Sequence, residues 1–177
     1  MSENKIEIIY NYIREDQPDR TISNLKINHF AIIGRLQNKH KQQLNFLKYC
    51  RDFILHKNIV LHLFGDGPDF NDISTFISDN SLNLNVILHG WTDENKIYDT
   101  TFSTVISISE WEGLPLNLLE AFNNSRIVIG KRVEGIEELL YGDFLFNNFE
   151  ECMQLMSKLL NDDSNSITIY ELNRKYV

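Results

Sequence analysis

Two glutamates lie eight residues apart in the segment SEWEGLPLNLLEAF, where their positions could support chemistry. Glu112 precedes a glycine in a predicted loop, and Glu120 lies inside a predicted helix that begins at Pro115. A carboxylate between Leu119 and Ala121, on a helix expected to pack against a buried sheet, is costly unless it reaches water or donors. A vicinal diol would give Glu120 two donors, and Glu112 could accept hydrogen bonds from other hydroxyls. Alternatively, both carboxylates are exposed to solvent and bind nothing.

A second polar group follows an apolar run, in the segment GRLQNKHK. Gly34 stands at a predicted strand end, Arg35 follows it directly, and Lys41 lies six residues later at the predicted start of a helix. A helix amino terminus offers unpaired N–H groups and a partial positive charge, so with the two cations it could hold a diphosphate. Alternatively, Arg35 and Lys41 are solvated cations beside a loop.

The segment FGDGPDF predicts a tight turn between a strand and a helix. Gly65 and Gly67 flank Asp66, and Pro68 suits the first position of the following helix. The pattern resembles part of a dinucleotide-binding fingerprint, but its third glycine is absent, and no acidic residue ends the next strand where a ribose contact would need one. Taken alone, the segment favours a turn that binds no ligand.

These segments are placed by alternating strands and helices. The predicted strands are apolar or β-branched runs at residues 29–36, 59–65, 85–90, 104–109, 126–130 and 143–146. The predicted helices lie near residues 42–56, 70–80, 94–99, 115–124, 135–140 and 149–160. Apolar strands without a polar face are typical of a parallel sheet covered on both sides. The sequence therefore predicts an α/β fold, a single doubly wound Rossmann-like parallel sheet of about six strands, with ligands at the carboxyl edge.

The two ends of the chain depart from this pattern. Residues 5–13 read as a short strand followed by a polar stretch, so residues 1–28 are interpreted as a lead-in linker and residues 29–177 as the domain proper. After Leu160 the chain starts with turn formers and is predicted to finish in a short helix.

Composition excludes several classes of protein. The 177 residues suffice for one domain with one core, and 42% hydrophobic with 24% charged residues argues against disorder. A net charge of −8 argues against a nucleic-acid surface. No apolar run approaches the roughly 20 residues of a membrane span, and the amino terminus does not resemble a signal peptide. Cys50 and Cys152 fall in separate predicted helices, which favours ordinary core or boundary thiols in a reducing cytoplasm over a disulfide framework.

Taken in order, the segments resemble the C-terminal domain of the family 4 glycosyltransferases, a large retaining group with the GT-B fold. The likeness covers about residues 5–160, through IIYN, GRLQNKHK, FGDGP, VILHG, EGLPLNLLEAF and VIGKRVEGIEELL. GDGP alone is weak, whereas the ordered set, with its glutamates spaced as E-x7-E between a strand and a helix, is specific. The resemblance implies that residues 29–177 form the nucleotide-sugar-binding half of a GT-B enzyme.

The resemblance also implies roles for individual residues. Arg35 and Lys41 would contact the donor pyrophosphate, and they would stabilise the negative charge that develops on the departing diphosphate. Glu112 would face the transferred sugar and Glu120 would hold the ribose hydroxyls. Arg35, Lys41 and Glu112 are thus the predicted catalytic residues. The predicted donor-binding residues are Gly34, Arg35, Lys41, Gly65, Gly67, Glu112, Gly113, Leu114, Pro115, Leu116 and Glu120.

Three segments differ from the family pattern. Ser125, Arg126 and Ile127 replace a small-residue turn, Ile108 replaces a proline, and Glu134-Gly135 replaces a pair of glycines. Glu134 adds a negative charge to a loop that often approaches the donor, where it would repel the diphosphate or hydrogen-bond a sugar hydroxyl. No D-x-D pair occurs, so we expect no obligatory metal and no cofactor besides a UDP- or GDP-sugar substrate.

The leading hypothesis is the donor-binding domain of a retaining glycosyltransferase that moves a hexose-type sugar to a glycan or glycolipid in surface polysaccharide biosynthesis. The acceptor domain is expected to lie before Met1 or on a separate chain, so this chain alone should bind donor weakly and transfer little. A non-catalytic nucleotide-sugar-binding or regulatory module is one alternative, and a GT-B epimerase relative is another, which the E-x7-E spacing disfavours. We expect a cytoplasmic protein, compatible with peripheral association at the inner face of the membrane.

Overall fold

The computed structural model describes residues 25–161. The strand predicted at residues 5–13 and the helix predicted at the carboxyl terminus lie outside this range. The strands are β1 (Lys26–Ile33), β2 (Val60–Phe64), β3 (Val86–Gly90), β4 (Phe102–Ser107), β5 (Ile127–Lys131) and β6 (Leu145–Phe146). The helices are α1 (Asn38–Lys41), α2 (Gln43–His56), α3 (Phe70–Asp79), α4 (Glu94–Ile97), α5 (Leu116–Asn123), α6 (Glu134–Glu137) and α7 (Phe149–Asn161).

The six strands form one parallel sheet in the order β3-β2-β1-β4-β5-β6. The predicted doubly wound α/β class is confirmed. The strand order reverses between β1 and β4, so the connections that leave their carboxyl ends diverge and open a crevice there.

Each face of the sheet carries its own apolar cluster. The α2, α3 and α7 helices cover one face, with Phe46, Ile73 and Met156 among the residues that they bury completely. The α4, α5 and α6 helices cover the other face, which buries Phe102 and Leu118. The apolar strands predicted from composition therefore have a helix layer on either side.

Several element ends differ from the predicted ones. β1 begins at Lys26, so the domain boundary predicted after residue 28 falls inside this strand. Of the strand predicted at 143–146, only Leu145–Phe146 pairs with the sheet, because Gly142–Phe144 form a 3-10 turn. α4 and α6 are single turns, shorter than predicted. In such short segments the local sequence does not determine where a helix ends, and contacts with the rest of the fold do.

The two cysteines occupy the core as predicted. Cys50 of α2 and Cys152 of α7 are both buried and free. Burial raises the pKa of the Cys50 thiol to about 12 and raises that of Cys152 well above its usual value. Both are therefore inert packing residues at neutral pH.

No helix between residues 25 and 161 combines the length and apolar character that a membrane crossing requires.

A diagonal row of three histidines crosses the sheet. His29 Nδ1 lies 3.0 Å from His62 Nε2, and His62 Nδ1 lies 2.9 Å from His89 Nε2. His62 is only 4% exposed. Burial first, and then the neighbouring His89, His29 and Lys26, lowers the pKa of His62 to about 4. Burial also lowers the pKa of His29 and of His89.

The histidine row predicts a loss of stability in mild acid. Unfolded His62 takes up a proton below about pH 6.5, whereas folded His62 resists protonation until about pH 4. The neutral, buried His62 therefore contributes fully to the free energy of unfolding above pH 6.5, and this contribution is lost as the pH falls towards 4. Urea unfolding should show that the free energy of unfolding falls by about 2 kcal/mol between pH 7 and pH 5 because of His62.

The His62→Phe variant should flatten that pH dependence, and His56→Gln, at an exposed histidine of α2, should leave it unchanged. An unaltered slope in His62→Phe would show that the row is not its source.

Candidate functional site

The strand order brings the predicted site segments to one edge of the sheet. Gly34 follows β1 and the loop 108–115 follows β4, and these two strands are neighbours at the point where the order reverses. Ligands of doubly wound sheets bind in the crevice at this position. Residues separated by about half the chain therefore meet here.

Lys41 and Glu112 form an ion pair across this crevice, Nζ to Oε1. Their side chains are 28% and 12% exposed, so solvent screens the pair only in part. A Cβ placed on Gly34 would lie 3.9 Å from Lys41 Cε, which shows that the lysine side chain reaches the crevice close to Gly34. The structure thus brings together three of the predicted site residues.

The predicted helix terminus at Lys41 is wrong. Lys41 ends the one-turn helix α1, and Gln42, in the left-handed conformation with φ of 58°, separates it from α2. The Asn38 N–H donates to the Asp69 carboxylate, and the Asn45 N–H donates to Asn38 Oδ1 at 2.9 Å. Local side chains therefore already bond N–H groups at both helix starts, so the predicted diphosphate contact there is not supported.

The amino terminus of α5 lies beside Glu112 instead. Pro115 precedes this eight-residue helix, and no side chain in the described part of the chain caps it. Asn117 Nδ2 donates to the Ile33 carbonyl at 2.7 Å, which ties the first turn to the end of β1. Asn117 was not predicted from the sequence, although a polar residue in the first turn of the helix that follows β4 was an available signal. Pro115 is buried, Leu114 is half-buried, and Leu116 is 51% exposed.

Arg35 is exposed, and no side chain of residues 25–161 forms an ion pair with its guanidinium. Its backbone carbonyl accepts a hydrogen bond of 2.9 Å from Nε2 of Gln43, the first residue of α2. This bond fixes the Arg35 backbone against α2. Arg35 is therefore a cation whose backbone is fixed and whose guanidinium has no ion-pair partner within residues 25–161.

Gly65 and Gly67 allow two loops to approach each other closely. A Cβ on Gly65 would lie 2.0 Å from the Gly34 carbonyl oxygen, and one on Gly67 would lie 2.3 Å from the Leu36 carbonyl oxygen. The Leu36 N–H donates to the Asp66 carbonyl at 3.0 Å in the same contact. This packing explains both glycines without a ligand, and their donor-binding role stays a prediction.

Pro68 was predicted to be the first residue of a helix, and the structure shows that it is not. It lies in the turn before Asp69, the residue that precedes α3. The Asp69 N–H donates to the Leu36 carbonyl at 3.2 Å, and α3 begins at Phe70, two residues after the proline.

A cavity of about 290 Å³ opens beside these loops. Its walls are formed at three strand ends, by apolar side chains, by the backbone of a glycine after each of β1 and β2, and by the turn after β3. The lining residues are Ile33, Gly34, Arg35, Phe64, Gly65, Asp66, Trp91, Thr92 and Ile97. Trp91 and Thr92 follow β3 and were not predicted, because only the sheet brings this turn next to Gly34 and Gly65. Such a cavity is suited to a flat ring with polar edges.

Glu120 lies half-buried on α5. Burial, and then the nearby Glu94, raises the pKa of its carboxyl group. No donor from the described residues reaches this carboxylate. The Glu120 carboxylate is therefore partly removed from water without a donor in its place, as its position in the sequence predicted. A ligand with hydroxyl groups would supply the missing donors.

Gly135 fits directly against the loop that carries Glu112. A Cβ on Gly135 would lie 1.3 Å from the Gly113 carbonyl oxygen and 2.7 Å from the Glu112 carbonyl oxygen. The Gly of the Glu134-Gly135 pair therefore seats the loop, while Glu134 is exposed on α6. Its predicted effect on the donor stays a prediction.

No group of three or more His, Cys, Asp or Glu side chains within residues 25–161 is arranged to hold a metal ion. The expectation that no metal is required stays a prediction.

Comparison with known proteins adds relatives to this geometry. Over 160 residues the chain is 27% identical to a poly(ribitol-phosphate) alpha-N-acetylglucosaminyltransferase of Staphylococcus aureus, covering 81% of this chain and 32% of the relative. Over 120 residues it is 28% identical to an Escherichia coli UDP-Gal:alpha-D-GlcNAc-diphosphoundecaprenol alpha-1,3-galactosyltransferase, covering 65% and 30%. The chain thus spans about a third of the length of these relatives.

A crystal structure of a mutant of Staphylococcus aureus TarM, in complex with Fondaparinux, alpha-GlcNAc-glycerol and UDP, has the same fold. The TM-score is 0.81 at 21% identity, over 95% of this chain and 35% of TarM. Residues 28–162 match the family described as Glycosyl transferases group 1. This chain therefore belongs to the group 1 glycosyltransferases, and its fold is that of the C-terminal domain of a GT-B glycosyltransferase.

Proposed function

We propose that this chain is the donor-binding domain of a retaining glycosyltransferase, which takes a hexose-type sugar from a UDP- or GDP-sugar and passes it to a glycan or glycolipid. The observation that carries the proposal is the pairing of Lys41 with Glu112 beside the cavity at the reversal of strand order. One cation and one acid at this crevice suit a ligand in which a phosphate is joined to a polyhydroxylated ring.

The cavity is the place for the nucleotide. The exposed Trp91 ring supplies flat apolar surface, and the backbone at Gly65 and Thr92 supplies polar groups for the base edge. The ribose would then lie towards Glu120, whose half-buried carboxylate has no donor from the described residues. Two ribose hydroxyls would satisfy it.

The diphosphate would lie between the cavity and Glu112. Lys41 reaches this position, the Arg35 guanidinium is free to turn towards it, and the uncapped first turn of α5 offers N–H groups and a positive dipole end. Breakage of the bond between the anomeric carbon and the phosphate leaves negative charge on the diphosphate, and these groups stabilise it. Glu112 would hold the sugar that is transferred.

Acceptor binding is assigned to a second domain. The relatives are about three times as long as the matched part, and their names give a polyol-phosphate polymer and a diphosphoundecaprenol-linked sugar as acceptors. An acceptor of this kind, a surface glycan or its lipid-linked precursor, is therefore proposed here as well. A non-catalytic binding module would share the donor site and differ only in lacking transfer.

The test is an NMR titration of the chain with UDP and with GDP. Amide signals of residues 34–41 and 113–120 should shift with at least one nucleotide, at millimolar to high micromolar affinity. If neither nucleotide perturbs these two segments, the donor-site assignment is wrong. Transfer after addition of a candidate acceptor domain would separate the enzyme from the non-catalytic module.

Removal of either cation should weaken nucleotide binding. Arg35→Ala and Lys41→Ala should each cost about 1.5–3 kcal/mol in UDP binding, a loss of about 10- to 150-fold, because each removes a charge-assisted hydrogen bond to phosphate. Lys39→Ala, at an exposed lysine on the same one-turn helix, is the matched control and should bind as the wild type does. Equal affinities for all four proteins would contradict the assignment.

A further inference from the structure

Trp111 lies immediately before Glu112, in the loop between β4 and α5. It is 61% exposed. Its Nε1 donates a hydrogen bond of 2.7 Å to His40 Nδ1, and the two rings meet edge to face at 5.2 Å between centroids. The N–H is the indole's one polar group, so the exposed remainder of the ring is apolar. A single exposed aromatic residue is ordinary, but this one is held by a hydrogen bond and a ring contact.

The loop around Trp111 is anchored on both sides. The Glu110 N–H donates to the His40 carbonyl at 2.8 Å, and the Glu110 carboxylate pairs with Lys131 at 2.7 Å. Glu112 pairs with Lys41 on the other side. These contacts tie the loop to α1 and to the end of β5, so the indole is presented in one fixed position. A preordered ring loses little conformational entropy when a ligand packs against it.

The indole is separate from the cavity assigned to the nucleotide. The cavity is lined by residues that follow β1, β2 and β3 and by α4, and no residue of the loop 108–115 contributes to it. Trp111 contacts α1 instead. The Lys41–Glu112 pair belongs to both surroundings, since Lys41 follows β1 and Glu112 adjoins Trp111.

From these contacts we infer that Trp111 is a stacking platform for a pyranose ring. The apolar C–H face of the sugar packs on the exposed indole, while its hydroxyls reach the neighbouring carboxylates of Glu110 and Glu112. This inference rests on the proposed function, since it extends that site beyond Glu112. The ring belongs either to the acceptor glycan or to the sugar of the donor, and the same chemistry serves both.

The two tryptophans make a direct experiment available, because the chain contains only Trp91 and Trp111. Their indole N–H signals are assigned in NMR spectra with the Trp91→Phe and Trp111→Phe variants. The probes are UDP, UDP-glucose, UDP-N-acetylglucosamine, and the methyl α-glycosides of glucose and N-acetylglucosamine, with and without UDP. Sorbitol is the control ligand, because it carries hydroxyls without a ring.

We expect pyranosides to shift the Trp111 indole signal and sorbitol to leave it unchanged. A shift with the methyl glycosides assigns the platform to the acceptor, and a shift with UDP-sugars but with neither UDP nor glycosides assigns it to the donor sugar. Trp111→Leu should weaken the binding of the sugar that shifts the Trp111 signal about fivefold to tenfold. Trp111→Phe should recover part of the affinity, and Tyr49→Leu, at an exposed tyrosine of α2, should change nothing.

The platform is excluded if no pyranose probe shifts Trp111, if sorbitol shifts it equally, or if Trp111→Leu binds the sugar as tightly as the wild type. Failure of the proposed function is distinguishable from this result. It would leave the Trp91 indole and the amides of residues 34–41 unperturbed by every nucleotide, whereas the glycosides still test Trp111 without nucleotide.

Discussion

Replacement of Gly135 by alanine should destabilise the chain by about 3 kcal/mol or more and displace the loop that carries Glu112. The added Cβ would lie 1.3 Å from the Gly113 carbonyl oxygen and 2.4 Å from the Gly113 carbonyl carbon, so one of the two backbones must move. Gly135 lies in α6, where alanine is otherwise preferred by about 1 kcal/mol. The steric clash therefore decides the sign of the effect.

Gly113→Ala is the matched control for this contact. A Cβ at Gly113 meets no atom of residues 25–161 within 4 Å, and the φ of Gly113 is outside the left-handed region. This variant should remain within about 0.5 kcal/mol of the wild type. Urea unfolding measures both effects, and the amide signals of residues 110–116 report the displaced loop. Equal stability of the two variants would show that the loop yields without cost.

The Arg126→Met variant should lose about 3–5 kcal/mol of stability. The guanidinium is almost fully buried and donates to the carbonyls of Asn124 at 2.6 Å, Tyr98 at 2.8 Å and Thr100 at 3.2 Å. It also lies 5.1 Å from the centroid of the Phe102 ring. Methionine fills a similar volume but leaves the buried carbonyls of Asn124 and Tyr98, and the partly buried carbonyl of Thr100, without this donor.

Arg132→Met is the comparison for Arg126. Arg132 pairs with Glu137 at 2.9 Å, and both side chains are more than 40% exposed. Removal of such a surface pair should cost less than about 1 kcal/mol. Thermal and urea unfolding of the two variants side by side measure the difference. If Arg126→Met proved as stable as Arg132→Met, the buried guanidinium would contribute little to the fold.

Arg126 also illustrates what a sequence pattern conceals. Together with Ser125 and Ile127 it departs from the small-residue turn that the family resemblance implies, and its sequence position predicts no structural role. The structure shows instead that its guanidinium joins the start of β5 to the chain between α4 and β4. Arginine is rarely buried, so no local signal distinguishes this residue from a surface one.

The elements themselves were predictable because their signal is local. Apolar β-branched runs and amphipathic stretches alternate along the chain, and each run needs only its own neighbours to form a strand or a helix. The helix termini at Lys41 and Pro68 were predicted wrongly because side chains and loops distant in sequence decide them, such as Asp69 at the start of α1.

The site divides in the same way. The sequence by itself determined which residue types stand at the strand ends, and thereby placed Arg35, Lys41, Glu112 and Glu120 at one edge of a sheet. Only the tertiary structure decided that Lys41 reaches Glu112, 71 residues away, and that Trp91 and Trp111 stand in different surroundings. The physical reason is that strand order and register bring these loops together, and both depend on the packing of the whole sheet, to which a single segment contributes only a part.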